Sequence, residues 1–538
     1  MSKTNNFEIE VIPDPGRTME GLRDTGYSFE SAVADLIDNS IAAGASDIYV
    51  RVMQDADGDV EVSITDNGSG MDREGLKQAM QYGSPKRSDP SSLGKFGLGL
   101  KTASTAFCRR LSLVSRASGD SQVLMATWDL DDVIAKGKWM LLMSDSPDEG
   151  VLGYLEGLAA GHSGTVVLWD KVDRLLRGYQ NPAGSHARKA LRKRQIQLEE
   201  HIAKTFQRFI NTNDERARNI CIRLNGKVVE PWDPFQEGLS ELVAEESVTV
   251  ENTSAEFTVR AFILPRREEF ENEDLAKAAK ISADMQGLYI YREERLIHDA
   301  DWLGMFQKEP HGTLLRVEFS FDHHLDDAFQ LNIKKEQVVL DDELWRWLKD
   351  QFLTAPRREA DRRYRQGQKK KITEKAEGVH DASNRSIATK EADAGSGVKV
   401  DIKNPKTGEV KLTNSQGEFN LKLKVSSASK PGEVCVQSSD DVEDGMLFEP
   451  AIIDKHKAVR VNTQHPYYHK VYVPNFNHSV TVQGMDSLLW ALCVAELSTT
   501  TDKTADALKD MRYEVTRILR KLVEDLPEPD IEDDVDEI

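Results

Sequence analysis

Apolar positions in the first third of the chain follow two different periods. Over residues 27–43, Phe29, Val33, Leu36, Ile37 and Ile41 recur three and four apart, the spacing of one buried face on a helix. Residues 48–53 and 60–64 switch to period two, which predicts neighbouring strands joined by the turn Asp55-Ala-Asp-Gly58. Further strand-like runs lie at 111–115, 122–128 and 165–169, and residues 7–12 alternate like a short strap. This order predicts an α+β fold, a sheet with helices on one face.

Later patterns are more mixed. A long helix is predicted over 186–210 and is taken to begin a second unit. Strands at 220–224, 257–264, 288–291 and 315–321 then alternate with helical stretches, and 345–352 runs into a basic helix. From 374 to about 433 the chain is rich in Ser, Lys, Gly, Ala and Glu, a linker composition, although 418–425 has the pattern of an edge strand. A small third unit follows, with short segments at 458–462, 465–469 and 470–473. It ends in helices over 485–499 and 503–524, whose seam of Leu488, Leu492, Val494 and Leu497 is expected to be core. There is no internal repeat.

Composition narrows the class. A chain of 538 residues with 39% hydrophobic and 30% charged residues has the make-up of a soluble globular protein with room for about three or four domains. The start of the chain is polar, unlike a signal peptide. No apolar run approaches the roughly 20 residues that cross a bilayer, so no membrane partner is expected. Cys108, Cys221, Cys435 and Cys493 have no CxxC spacing, which argues against disulfides and zinc ribbons and suits a reducing cytoplasm. His323-His324 and the group His456, His465, His469 and His478 lack metal-ligand spacing. There is no Gly-x-Ser-x-Gly or Cys-His nucleophile pattern either.

A net charge of −21 argues against the whole surface being a nucleic-acid sleeve. The charge is uneven, however. Residues 524–538 hold nine acids and no base, the mark of an acidic disordered tail. Basic clusters occur at 188–194 and at 357–375, the latter with nine bases against three acids. Each is either a solvated helix face or a nucleic-acid footprint, because affinity follows local charge near phosphates.

Three boxes carry the chemistry: Asp35-Leu-Ile-Asp38-Asn39-Ser40, Asp66-Asn67-Gly68-Ser69-Gly70-Met71, and Gly94-Lys95-Phe96-Gly97-Leu98-Gly99-Leu100-Lys101. An acid and an amide stand one turn apart on a helix, a strand ends in an Asp-Gly turn, and a glycine-rich loop opens a second helix. Such a set can bind Mg-ATP without a Walker lysine loop. Asn39 offers a neutral oxygen to Mg²⁺, a hard ion. Asp38 is placed to support it. Backbone amides at a helix N-terminus suit phosphates.

In these boxes the chain resembles the ATPase superfamily of gyrase B, the ninety-kilodalton heat-shock chaperone, histidine kinases and MutL (GHKL), most of all its MORC branch. Tyr82-Gly-Ser-Pro-Lys86-Arg87, Ser163-Gly164-Thr165, Gln286 to Ile297 and Gln330-Leu-Asn-Ile-Lys334-Lys335 add to the resemblance, which covers roughly residues 15–350. It implies a Bergerat-type α/β sandwich over 1–180 and a transducer-like, ribosomal S5-like α/β domain over 181–355. Beyond these are expected a basic helix and linker over 356–433, a small α+β and helical domain over 434–525, and the acidic tail over 526–538.

The same resemblance assigns roles. Asp66 takes the adenine amine, Gly68 and Gly70 let backbone approach the base, Met71 packs on the ring, and Thr165 lines the adenine side. Residues 94–101 cradle the phosphates, with Lys95 and Lys101 adding charge, and Lys86 and Arg87 lie in a lid over 72–96. Asp35 takes the general-base position, where the family pattern has glutamate. Aspartate is shorter by about 1.5 Å, and a misplacement of about 1 Å can cost about a hundredfold in rate, so slow hydrolysis is expected. Lys334, from the second domain, would sense the γ-phosphate.

The function implied is a switch that dimerises on ATP and clamps DNA or a partner protein. An ATP-gated, chaperone-like scaffold without DNA stays open as the alternative. A histidine-type kinase is disfavoured, since only about 15 residues precede the expected ATPase domain, and such kinases carry a phosphoacceptor hairpin there. With no nuclease, toprim or zinc-finger sequence, a separately encoded effector also stays open, as in host-defence systems.

Overall fold

The computed structural model describes residues 13–24, 26–82, 93, 99–249, 255–326, 342–375, 378–395, 397–501 and 503–526. It forms two compact units, Met1–Tyr364 and Arg365–Ile538. The strap over 7–12, most of the acidic tail, the loop 94–98 with Lys95, Phe96, Gly97 and Leu98, the lid positions Lys86 and Arg87, and Lys334 with Lys335 lie outside the described residues.

The fold class is α+β, as the hydrophobic periods predict. The first unit opens with helices α1 (Pro15–Arg23) and α2 (Phe29–Ala42), then strands β1 (Asp47–Gln54) and β2 (Val60–Asp66). Next come α3 (Arg73–Met80), α4 (Gly99–Phe107), β3 (Cys108–Arg116), β4 (Leu124–Asp129), α5 (Leu130–Lys136) and β5 (Leu142–Ser144). Helix α6 (Glu149–Ala159), β6 (Gly164–Val172), α7 (Ser185–Thr205), β7 (Cys221–Leu224) and β8 (Lys227–Val228) complete the part of it built on the first sheet. The eight strands form one sheet in the order β5-β4-β3-β6-β2-β1-β7-β8.

Strand alternation sends Leu111, Leu113, Val167 and Trp169 to one face, into the large core with α2, α4 and α7. The opposite face is covered too, because Val114 and Val166 pack with Leu155 and Ala159 of α6. The expectation of helices on one face is thus corrected: these strands are apolar on both sides, so both need cover. Three aromatic rings tie together the elements that carry the motifs. Trp169 of β6 stacks on Phe107 at the end of α4 (6.0 Å, 8°) and meets Phe29 of α2 edge-on (6.3 Å, 70°). Each such pair is worth about 0.5–1.5 kcal/mol beyond its burial.

The expected boundary at residue 180 cuts through this core. Leu191, Leu198 and Ile202 of α7 are buried in it, and β7 pairs in parallel with β1, Asp47 opposite Cys221 through Val50 opposite Leu224. Only after Val229 does a second sheet begin. Its strands are β9 (Glu241–Thr249), β10 (Glu256–Ile263), β11 (Gly287–Arg292), β12 (Arg295–Asp301) and β13 (Leu315–Phe321), in the order β12-β11-β13-β10-β9. The pair β11–β13 is parallel. A core of Phe257, Val259, Leu288, Ile290, Val317 and Phe319 lies under it, closed by Leu348 and Phe352.

In the second unit, the stretch expected to be linker contains an antiparallel meander, β14 (Lys399–Asn404), β15 (Glu409–Asn414) and β16 (Gly417–Lys422). Val400, Leu412 and Leu421 pack with Leu497 of the helix Ser479–Thr499, and the Asn414 side-chain amide donates to the Leu497 carbonyl of that helix and to the Thr500 carbonyl just past its end. A four-stranded sheet, β17 (Lys424–Ser426), β18 (Val436–Ser439), β19 (Phe448–Ile453) and β20 (His456–Asn462), runs in the order β17-β19-β20-β18. The predicted seam divides: Val494 and Leu497 are buried, whereas Leu488 and Leu492 face outward. Ser479–Thr499 has the length and apolarity of a bilayer span, contrary to the expectation drawn from composition. Within the unit, however, its buried Asp486 accepts bonds from Ser383 and Tyr472 and lies 2.8 Å from the His380 ring.

Candidate functional site

Helix α2 is capped by Ser28, whose hydroxyl accepts from the Ser31 N–H, and its apolar stripe seats it on the sheet. That leaves Asp35, Asp38 and Asn39 along one side. The Asn39 side-chain N–H donates back to the Asp35 carbonyl (2.9 Å), which fixes the amide with its oxygen on the opposite edge. Ser40, the next residue, donates to Asp66 Oδ2 at 2.8 Å. The first two boxes are therefore bonded to each other directly.

Asp66 ends β2 and is only 4% exposed. Its Oδ1 accepts the Gly68 N–H at 2.9 Å. Burial pushes its carboxyl above the usual range, and the bonds from Gly68, Ser40 and the Thr165 backbone offset part of that. Thr165 lies directly opposite Asp66 in the β2–β6 register, its hydroxyl 2.9 Å from that of Ser115. Ser115 in turn accepts the Met71 N–H (2.8 Å). Asn67 holds the turn to the start of β1, accepting from the Ser46 and Asp47 N–H groups.

The glycines of this turn have a nearer reason than ligand approach. Gly70 has φ +65°, and a Cβ there would stand 1.8 Å from the Arg116 carbonyl oxygen; one on Gly68 would stand 2.9 Å from Ala43. Backbone packing alone demands glycine at both positions.

Asp35 is buried, and its Oδ2 accepts the Tyr27 hydroxyl at 2.9 Å. A Cβ on Gly99, the first residue of α4, would lie 3.1 Å from that same oxygen. The N-terminus of α4, with its orphan amides and positive dipole end, therefore abuts the carboxylate. Leu100 packs into the core beside it.

Two of the expected site residues also make structural bonds. Lys101 is 1% exposed and donates to the Ala79 and Gln81 carbonyls (3.0 and 2.8 Å). Its ammonium satisfies the end of α3, because a buried cation needs acceptors on the spot. Asp38 is wholly buried and accepts from Arg295 Nε at 2.9 Å, so its bond runs to the second sheet. Tyr27, Ser40 and Ser115 were not singled out from sequence. Ser40 sits inside the first box and Tyr27 one turn before Ser31, but neither side chain's target is visible from spacing. Arg295 lies within the resembling stretch 286–297, though its reach to α2 has no local signal.

Residues 27–165 match the family model described as histidine kinase-, DNA gyrase B-, and HSP90-like ATPase. The chain is 38% identical over 77 residues to ATPase MORC2B of Mus musculus, a stretch that is 14% of this chain and 8% of that protein. Among solved structures, the crystal structure of the N-terminal domain of a DNA repair protein is similar over 65% of this chain and 98% of that one, with 17% identity and a TM-score of 0.39. Residues 27–165 thus form a domain of the histidine kinase-, DNA gyrase B- and HSP90-like ATPase family.

Proposed function

We propose that this chain is a magnesium-dependent ATPase whose turnover drives a conformational switch, dimerising on ATP and clamping DNA or a partner protein. The observation that carries this reading is the joining of the three boxes: Ser40, beside Asn39, is bonded to Asp66, while Asp35 of the same helix abuts Gly99 at the start of α4.

The residues suit the ligand. Asn39 would hold magnesium through its amide oxygen, a hard neutral donor, and the N-terminus of α4 would meet phosphate oxygens. Asp66, with Thr165 alongside, would accept from the exocyclic amine of adenine, at a position where guanine has a carbonyl, which selects adenine over guanine. When bound, Mg-ATP supplies a polarised terminal phosphoryl group. Asp35 would hold water and accept its proton, with Tyr27 bonded to the same carboxylate.

DNA is the first candidate for the clamped partner. Arg188, Lys189, Arg192 and Lys193 of α7 are all exposed, a cluster suited to phosphates. The second basic segment suits this less well: Arg357 lies over Phe306 (3.7 Å), Arg362 and Arg363 pair with Glu359, and Arg363 also pairs with Glu241.

Light scattering with and without a non-hydrolysable ATP analogue, and with and without DNA, tests the reading. The analogue should convert monomer to dimer, and Asn39→Ala should abolish both that shift and nucleotide binding in calorimetry. Unchanged binding in Asn39→Ala would refute the pocket. A dimer that forms on the analogue but shows no salt-sensitive DNA association would leave the ATP-gated scaffold.

A further inference from the structure

The turn between β11 and β12 is unusual in its chemistry. Its two central residues, Glu293 (φ 48°) and Glu294 (φ 66°), are left-handed without being glycine, a conformation that persists only where the surroundings hold it. Here charged bonds do so on every side. Arg292 grips Asp326 with two bonds (2.6 and 2.7 Å). Glu293 accepts the His323 N–H (3.0 Å), and Glu294 accepts from Arg208 (2.5 Å).

This rigid turn delivers Arg295 from the edge of the second sheet to helix α2. Its Nε donates to Asp38 (2.9 Å), one guanidinium nitrogen stands 3.9 Å from Asp35 Oδ1, and the group lies 5.8 Å over the Phe206 ring. Asp35 therefore has neighbours on three sides: the Arg295 charge 3.9 Å from Oδ1, too far for a hydrogen bond, the Tyr27 hydroxyl bonded to Oδ2, and the start of α4 beside Oδ2. A carboxylate shorter than the family's glutamate has little tolerance for drift, and the fork of an arginine fixes direction as well as charge.

We propose that Arg295 is a positioning residue for ATP hydrolysis: it holds Asp35 and Asp38 in place from the second sheet, so that turnover, and not nucleotide affinity, depends on how that sheet is seated. The proposal rests on the ATPase reading above. Arg295 bonds to the side of α2 that carries the expected base, whereas the expected purine contacts, Asp66 and Thr165, are held by Ser40, Gly68 and Ser115.

Steady-state turnover and calorimetric binding of a non-hydrolysable analogue by the full chain, with Arg295→Lys and Arg295→Ala, test it. Lysine keeps the charge but loses the fork. Both variants should lower kcat about tenfold to a hundredfold, with KM and analogue affinity within about twofold of wild type. Millimolar guanidinium should restore part of the Arg295→Ala rate. A wild-type kcat in Arg295→Lys, or parallel loss of kcat and affinity in that variant, overturns the proposal. Folded Arg295→Ala that guanidinium does not revive overturns it too. If Arg295→Ala does not fold, the kcat-against-KM split in Arg295→Lys decides. A wild type without magnesium-dependent turnover instead overturns the ATPase reading, and this proposal with it.

Discussion

Replacing Asp66 by asparagine separates what the site does for nucleotide from what it does for the fold. In the protein without ligand, the carboxylate accepts from the Gly68 N–H and the Ser40 hydroxyl. Asparagine keeps both bonds: its oxygen faces Gly68, and its amide donates to Ser40, whose hydroxyl can equally accept. Burial raises the Asp66 carboxyl above its ordinary value of 3.8, so the native state keeps this proton to higher pH than the unfolded chain does. Stability from this group falls as pH rises through that window and then stays level. Asp66→Asn should accordingly melt at or above the wild-type temperature at neutral pH, and any gain should vanish below pH 3.8.

Nucleotide binding should move the other way. The amide now presents a donor to the adenine amine, which forfeits a bond to a charged acceptor worth about 1.5–3 kcal/mol, or about 10- to 150-fold in affinity. Melting curves with a non-hydrolysable ATP analogue read this directly. At a concentration 100 times the wild-type Kd, ligand stabilises wild type by about 2.7 kcal/mol; a 30-fold weaker variant gains only about 0.9 kcal/mol. Wild-type stabilisation by the analogue in Asp66→Asn, or collapse of the unliganded fold, would refute the reasoning.

Two further outcomes follow from buried charges. Lys101→Met should cost about 2–3 kcal/mol in chemical denaturation, since the ammonium serves the α3 carbonyls, with nucleotide affinity nearly unchanged; lost affinity at full stability would return Lys101 to the phosphates. Burial and the neighbouring Lys204 and Arg295 cations hold His201 down to about 3, so it stays neutral where the unfolded imidazole, with its ordinary value of 6.5, takes a proton. Stability from this group is complete above 6.5 and declines as pH falls below it. The melting temperature should therefore drop between pH 7.5 and 5.5, by less in His201→Gln; equal drops would remove His201 as a cause.

Local chemistry was legible from sequence, and distant partnership was not. The stripe Phe29-Val33-Leu36-Ile37 and the period-two runs beside it place α2, β1 and β2 where the structure has them, because each pattern is written within one element. Nothing in 186–210 says which sheet the buried Leu191 and Leu198 of α7 will meet, so the helix carries no sign that it belongs with the first core. The parallel pairing of β7 with β1 spans some 170 positions and leaves no mark in either strand. Strands β14 and β15 are concealed by their composition, as only Val400, Leu412 and a few neighbours supply an apolar side, whereas the run over 418–425 does mark the edge strand β16. The bonds of Lys101 and Arg295 are of the same kind: a buried cation is recognisable only once its acceptors are placed.

The return of β7 to the first sheet also governs how the chain can be dissected. A fragment stopped at residue 180 would strip β1 of its neighbour, bare an extended row of amides and carbonyls along that strand, and remove the helix that shields α2. Exposed edges of this sort recruit other chains, so such a piece would aggregate whatever its nucleotide chemistry. The smallest piece that keeps this sheet whole runs to Val228, and cutting there would leave Arg295 behind. If turnover depends on Arg295 as proposed, structural independence and catalytic completeness would fall at different points along this polypeptide.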